Sequence, residues 1–247
     1  TRELFDISTE GREKGIAAFL YGSIGRREMI SESDVDVLLI YDDQNERAKQ
    51  IKDKFRVSAA PFRFCKIDLP ECGTITEAEV FAERSITEGN QVLEARFLCG
   101  DTEVREKVEA IVKKYATPER MVRNIIFQKF YFDQYFRQRV RNGAINVKYC
   151  DGGSRDFLFI SWFDRMMSAK YPKWRIQRGE RPQAENGLVG LYKNGVLSGL
   201  ELSRAIEALN FNIVLRNEIL EANKGFPDEG LTFLDEDTLS RVYARLT

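Results

Sequence analysis

The chain has 247 residues, 43% hydrophobic and 31% charged, which supports one large or two ordinary folded domains and excludes a disordered tail-like sequence. It holds no histidine, so Ser-His-Asp and Cys-His catalysis and histidine metal ligands are excluded, and any chemistry runs on carboxylates and metals. The formal net charge of -1 gives no argument for a nucleic-acid partner, and no apolar run approaches the roughly 20 residues needed to span a bilayer.

Without a signal-peptide pattern, a cytoplasmic location is the expectation. Cys65, Cys72, Cys99 and Cys150 form no CxxC pair and suggest neither a zinc site nor a disulfide framework. Charge is uneven along the chain, with a basic excess over residues 119–148 and an acidic excess over 201–237.

Residues 1–14 read as a short leading helix. Residues 16–21 (IAAFLY) form a short apolar run closed by glycine, the pattern of a buried strand. Gly22 allows close backbone approach and Ser23 offers a hydroxyl. A helical turn opening there, with Arg26 of the Arg26-Arg27 pair beside it, suits a triphosphate. Val35–Tyr41 (VDVLLIY) reads as a second buried strand. Side chains alternate along a strand, so Asp34 and Asp36 share a face about 7 Å apart. Paired acids at a strand mouth suit a hard divalent cation such as Mg²⁺, which takes carboxylate and phosphate oxygens and in two-metal sites clamps both oxygens of an in-line displacement.

Residues 45–55 are rich in helix formers, Pro61 breaks them, and 62–68 (FRFCKID) alternate as a third strand ending at Asp68. If that strand lies beside the Asp34/Asp36 strand, Asp68 supplies a third carboxylate, for metal or for the proton of an incoming hydroxyl; Glu71 is the competing candidate. Thr76-x-x-Glu79 has the form of a capping box, residues 91–98 continue as helix, and Asp101 caps a further helix over 102–115. Thr117-Pro118 marks the junction between a domain at 1–116 and one at 117–247.

The second domain opens on a long helix from Pro118 to about Arg141, whose Phe127, Phe130, Tyr131, Phe132, Tyr135 and Phe136 read as core. A glycine-interrupted loop follows, with Lys148 and Arg155 as candidate phosphate contacts, then a helix through Trp162 and Met167. Residues 172–186 read as a long surface loop and 187–195 as a helical turn. Ser198-x-x-Glu201 caps a helix reaching Ala222, and a last helix starts near Asp235.

Taken together, GSIGRRE with SDVDVLLI, QVLEARFLCGD (residues 91–101), NVKYCDGGSRDFLF (146–159) and LVGLYKNGVLSGLELSRAIEALNFNIVLRN (188–217) resemble the bacterial uridylyltransferase of the nitrogen-signalling PII protein. They also resemble its relative, the glutamine synthetase adenylyltransferase, within the nucleotidyltransferase superfamily related to DNA polymerase beta. The resemblance implies a small mixed-sheet catalytic domain of α/β type followed by an all-helical domain. It further implies Mg²⁺-dependent transfer of a nucleotide from UTP or ATP, usually onto a protein tyrosine. Carried over, Gly22 and Ser23 bind the triphosphate, Asp34, Asp36 and Asp68 hold metal, and Lys148 and Arg155 match basic positions of a later motif. Cys150 and Ser154 depart from that motif, which usually has glycine and an apolar residue there. A nucleotide-sensing module that binds without transfer, and transfer to a small molecule, are the alternative readings. The resemblance names neither the nucleotide nor the acceptor.

Overall fold

The structure is a computed structural model, and it describes residues 14–29, 33–44, 48–59, 67–68, 73–84, 87–135, 145–148, 153–171, 183–223, 233–234 and 236–246. The expected leading helix, the first five residues of the expected third strand, Glu71 and most of the expected long loop lie outside the described residues. The described residues divide into two compact units, one running to Pro118 and adding Arg165–Pro172, the other built from Glu119–Asp164 and Lys173–Thr247.

The first unit is organised on a four-stranded sheet of order β3-β2-β1-β4. Strand β1 (Ile16–Leu20) and β2 (Val35–Tyr41) pair antiparallel from Ile16 opposite Tyr41 to Leu20 opposite Val37. β3 (Ile67–Asp68) adds parallel to β2, and β4 (Arg96–Gly100) adds antiparallel to β1 with a bulge between Ala18 and Phe19. The mixed sheet expected from the sequence is therefore present.

Both faces of this sheet are covered at β1 and β2, which is why those two strands read as apolar runs rather than alternating ones. Ala17, Phe19, Leu38 and Ile40 pack under α3 (Ile75–Arg84), α4 (Thr87–Glu94) and α5 (Thr102–Tyr115), through Ala78, Ala82, Val92 and Val108 among others. Ile16, Ala18, Val35, Val37 and Leu39 face Ile51 and Phe55 of α2 (Ala48–Ala59). Phe19 meets Phe97 edge-on at 5.8 Å, and the Arg105 guanidinium lies 5.1 Å from the Phe97 ring centre. Cys99 is buried against the same face as Ile51 and Phe55.

Two expectations about this unit change. Residues 91–98 are not one helix: α4 ends at Glu94 and β4 begins at Arg96, because pairing with β1 claims the segment despite its helix-forming residues. The capping box belongs to Thr74 and Glu77, two residues earlier than read. The Glu77 amide donates to Thr74 Oγ1 at 3.0 Å, and the Thr74 amide donates to Glu77 Oε2 at 2.8 Å. Thr76 instead bonds Asp43 through both its amide and its hydroxyl.

Asp101 caps α5 as expected, accepting the Glu103 amide at 2.7 Å, and it also accepts the Gly15 amide from the start of β1. Those bonds, the one from Gly15 foremost, outweigh partial burial and hold its carboxyl below the ordinary range. A depressed carboxylate contributes stability that is present above its unfolded pKa and lost as pH falls through the folded one. Asp101→Ala is expected to cost about 1 kcal/mol at pH 7, as lost caps do. Urea unfolding at pH 7 and pH 3 should show that difference narrow in acid.

The second unit contains α6 (Pro118–Tyr135), the first part of α7 (Ser154–Lys170), α8 (Gln183–Lys193), α9 (Gly199–Ala222) and α10 (Glu236–Leu246). Ser198 and Glu201 form the expected capping box of α9. The unit is not all-helical: β5 (Ile145–Asn146) and β6 (Phe233–Leu234) pair antiparallel, tying the segment before α7 to the one before α10. Val147, Ile219 and Val242 form one core cluster, and Phe157, Ala184 and Leu209 another. The α6 aromatics do not all serve as core, since Phe127 and Phe130 are exposed, Phe130 by 61%. Among the described residues no helix is long and apolar enough to cross a membrane.

Candidate active site

The register of β1 and β2 builds the site. The ladder continues one step past Leu20, with the Tyr21 amide donating to the Asp36 carbonyl at 3.2 Å. Tyr21 therefore stands opposite Asp36, and the next residue, Gly22, meets the Asp36 carboxylate. A β-carbon on Gly22 would lie 1.8 Å from Asp36 Oδ2, and Gly22 holds φ +62°, so only glycine fits on both counts. Gly22–Arg26 forms a five-residue helix, α1, closed by Arg27 in the left-handed region at φ 61°. Gly25 is buried, and a β-carbon there would stand 2.7 Å from the Leu20 carbonyl oxygen. The turn thus lies directly on the end of β1.

Asp36 is half-buried and Asp34, just before the strand, is exposed. They share the strand face of Leu38 and Ile40, so the carboxylates begin where that apolar face ends. Asp68 is the parallel register partner of Asp36. The backbone therefore brings Gly22, Ser23, Asp34, Asp36 and Asp68 to one end of the sheet. Among the described side chains no set of three or more acids or cysteines is placed to hold a metal; the Asp68 side chain lies outside that set.

Arg26 is placed differently from expectation. Its guanidinium is only 12% exposed and engages Glu94 Oε2 at 2.9 Å and Glu28 Oε2 at 2.9 Å. Burial alone would lower its pKa, but Glu94 and then Glu28 reverse that and leave it raised. This cation is paired with two protein carboxylates through its Nε and Nη1. Lys148 and Arg155 lie in the second unit, where the Arg155 amide donates to the Lys148 carbonyl at 3.1 Å and the Lys148 amide donates to Asn146 Oδ1 at 3.0 Å.

Sequence reasoning missed Glu94 and Arg96. Glu94 Oε1 accepts the Gly22 amide at 2.9 Å. Arg96 donates to the Gly25 carbonyl at 3.1 Å and the Ile24 carbonyl at 3.2 Å. The end of α4 at Glu94, where the dipole disfavours an acid, comes from the pairing of β4 with β1 and was hidden by reading residues 91–98 as one helix.

A strand, a glycine-serine turn and a second strand opening on two aspartates are the arrangement on which the resemblance to nucleotidyltransferases rests. Comparison with known proteins agrees: residues 1–75 match the family model described as "Putative nucleotidyltransferase DUF294". The chain is similar to the bifunctional uridylyltransferase/uridylyl-removing enzyme of Pasteurella multocida (strain Pm70), at 27% identity over 157 residues, covering 61% of this chain and 18% of that protein. The enzyme of the same name from Haemophilus influenzae (strain 86-028NP) is 29% identical over 154 residues, covering 60% of this chain and 17% of that protein. The one from Nitrosospira multiformis is 22% identical over 163 residues, again covering 60% and 17%. The resemblance to nucleotidyltransferases and to the uridylyltransferase is thereby shown, at modest identity, and the match spans less than a fifth of the length of these relatives.

Proposed function

We propose that this chain is a metal-dependent nucleotidyltransferase that moves a nucleoside monophosphate from an NTP, UTP or ATP, to a hydroxyl of an acceptor, a regulatory protein as in the uridylyltransferases. The observation that carries the reading is the seating of the Asp36 carboxylate against Gly22, which joins the glycine-serine turn to the Asp-x-Asp strand. The family match and the named relatives support nucleotidyl transfer in general.

Asp34 and Asp36, with Asp68 in register beside Asp36, are the hard oxygen donors that suit Mg²⁺, and they are the residues that would hold it. When bound, the cation supplies charge neutralisation at the reacting phosphate and its leaving group. Ser23 binds the triphosphate, and Gly22, whose amide donates to Glu94, shapes the turn that orients it. The acceptor oxygen forms a bond to the α-phosphorus, the bond from that phosphorus to the diphosphate oxygen breaks, and the hydroxyl proton passes to a carboxylate, for which Asp68 is the candidate. Positioning and fixed charge, rather than covalent chemistry by the protein, carry the rate.

Calorimetric titration with ATP, UTP, CTP and GTP, in Mg²⁺ and in EDTA, tests this together with diphosphate release. One nucleotide is expected to bind only with Mg²⁺ and to yield diphosphate when a hydroxyl-bearing acceptor protein is present. Binding without release under any acceptor would make the chain a nucleotide-sensing module. Absence of binding would overturn the transfer reading.

A further inference from the structure

We infer that Glu94 is a positioning residue that sets the geometry of the Gly22–Ser23 turn. As a statement about catalysis this rests on the nucleotidyltransferase reading above.

The Glu94 side chain is 7% exposed, and both its oxygens bond the turn: Oε1 accepts from the Gly22 amide and from Arg26 Nη1 at 3.1 Å, and Oε2 from Arg26 Nη1 at 2.9 Å. A buried carboxylate is costly unless paired and hydrogen-bonded, and at the C-terminus of α4 it gains nothing from the helix dipole. The turn, 68 and 72 residues away in sequence, supplies favourable interactions for it there.

The corner bearing Glu94 is itself held. Arg165 donates to the Leu93 carbonyl at 3.3 Å and the Ala95 carbonyl at 2.9 Å, satisfying carbonyls that the helix end leaves open on either side of Glu94. Two residues on, Arg96 grips the Ile24 and Gly25 carbonyls. One corner therefore holds the turn at both ends, Glu94 at its entry and Arg96 at its exit. That is the arrangement a site needs if the turn must not relax when the substrate's charge arrives. Glu94 also keeps Arg26 neutralised and directed inward, so Arg26 fixes the turn instead of meeting phosphate.

The test compares wild type, Glu94→Gln and Glu94→Asp as full chains. Glutamine keeps an acceptor for the Gly22 amide and removes the charge facing Arg26; aspartate keeps the charge and shortens the reach. Both variants should retain the circular dichroism of the fold. Hydrogen exchange of the peptide spanning residues 21–28 should rise about tenfold while that of 35–41 stays unchanged, as expected of a locally released segment. Diphosphate release should fall about 10²-fold in kcat with KM for the nucleotide within about threefold, the signature of lost orientation. Unchanged exchange at 21–28, or a loss of rate matched only by a loss of folded protein, would overturn the proposal. If wild type itself releases no diphosphate, the transfer reading fails separately, and the exchange measurement still decides whether Glu94 sets the turn.

Discussion

Asp36→Asn is expected to lower nucleotide-dependent diphosphate release by about 10³-fold or more while leaving the unfolding midpoint nearly unchanged. A charge clamp at a reacting phosphate is worth several kcal/mol, and each 1.36 kcal/mol is about tenfold in rate. The substitution keeps the backbone pairing and the shape of the side chain. The Asp36 carbonyl, which accepts the Tyr21 amide, is untouched by the substitution, and asparagine has the same shape against Gly22. Asp34 is exposed and stands outside β2, so Asp34→Asn is expected to cost less. If the two carboxylates act as a unit, the double variant will be scarcely worse than Asp36→Asn alone. Release within about tenfold of wild type in Asp36→Asn, an effect no larger than about 1.4 kcal/mol, would sink the assignment of this carboxylate.

What the sequence made legible was local. β1 and β2 could be read because burial on both faces makes β1 an unbroken apolar run and β2 one interrupted only by Asp36, and the turn between them because glycine and serine have few other uses at a strand end. The capping box of α3 shows where local reading divides. Thr74 and Thr76 are each followed three residues later by glutamate, and only Asp43, 33 residues from Thr76, decides between them by taking Thr76. β4 was hidden in helix formers because its pairing with β1 is a distant event. The Arg26 partner Glu94 is 68 residues away, so nearness to Ser23 in sequence suggested a phosphate ligand where the fold supplies a carboxylate. β5 and β6 are two residues each, too short to show any period. On α6, aromatic density said nothing about which face is covered, and Phe130 is exposed.

Gly22 and Gly25, three residues apart in one turn, are expected to fail in opposite ways when changed to alanine. At Gly22 the new methyl meets Asp36 Oδ2 at 1.8 Å and the Asp36 Cγ at 2.8 Å, the far end of a side chain that can swing aside. The fold then bears mainly the left-handed backbone at φ +62°, about 1–2 kcal/mol for a residue with a β-carbon. The displaced carboxylate is the one proposed to hold metal, and misplacing it by an ångström is enough for a rate loss of about 10²-fold. At Gly25 the methyl meets the Leu20 carbonyl oxygen at 2.7 Å and its carbon at 3.0 Å, backbone atoms of the central strand that cannot rotate away. The helix must lift from β1, straining the bonds from Arg96 to the Ile24 and Gly25 carbonyls, at a cost of about 2–3 kcal/mol as in other overpacked sites. Urea unfolding and diphosphate release on the same preparations separate the two. Gly22→Ala should be the more stable and the less active per folded molecule. Equal losses of both quantities in the two variants would mean that the Gly22–Asp36 contact has no role beyond packing.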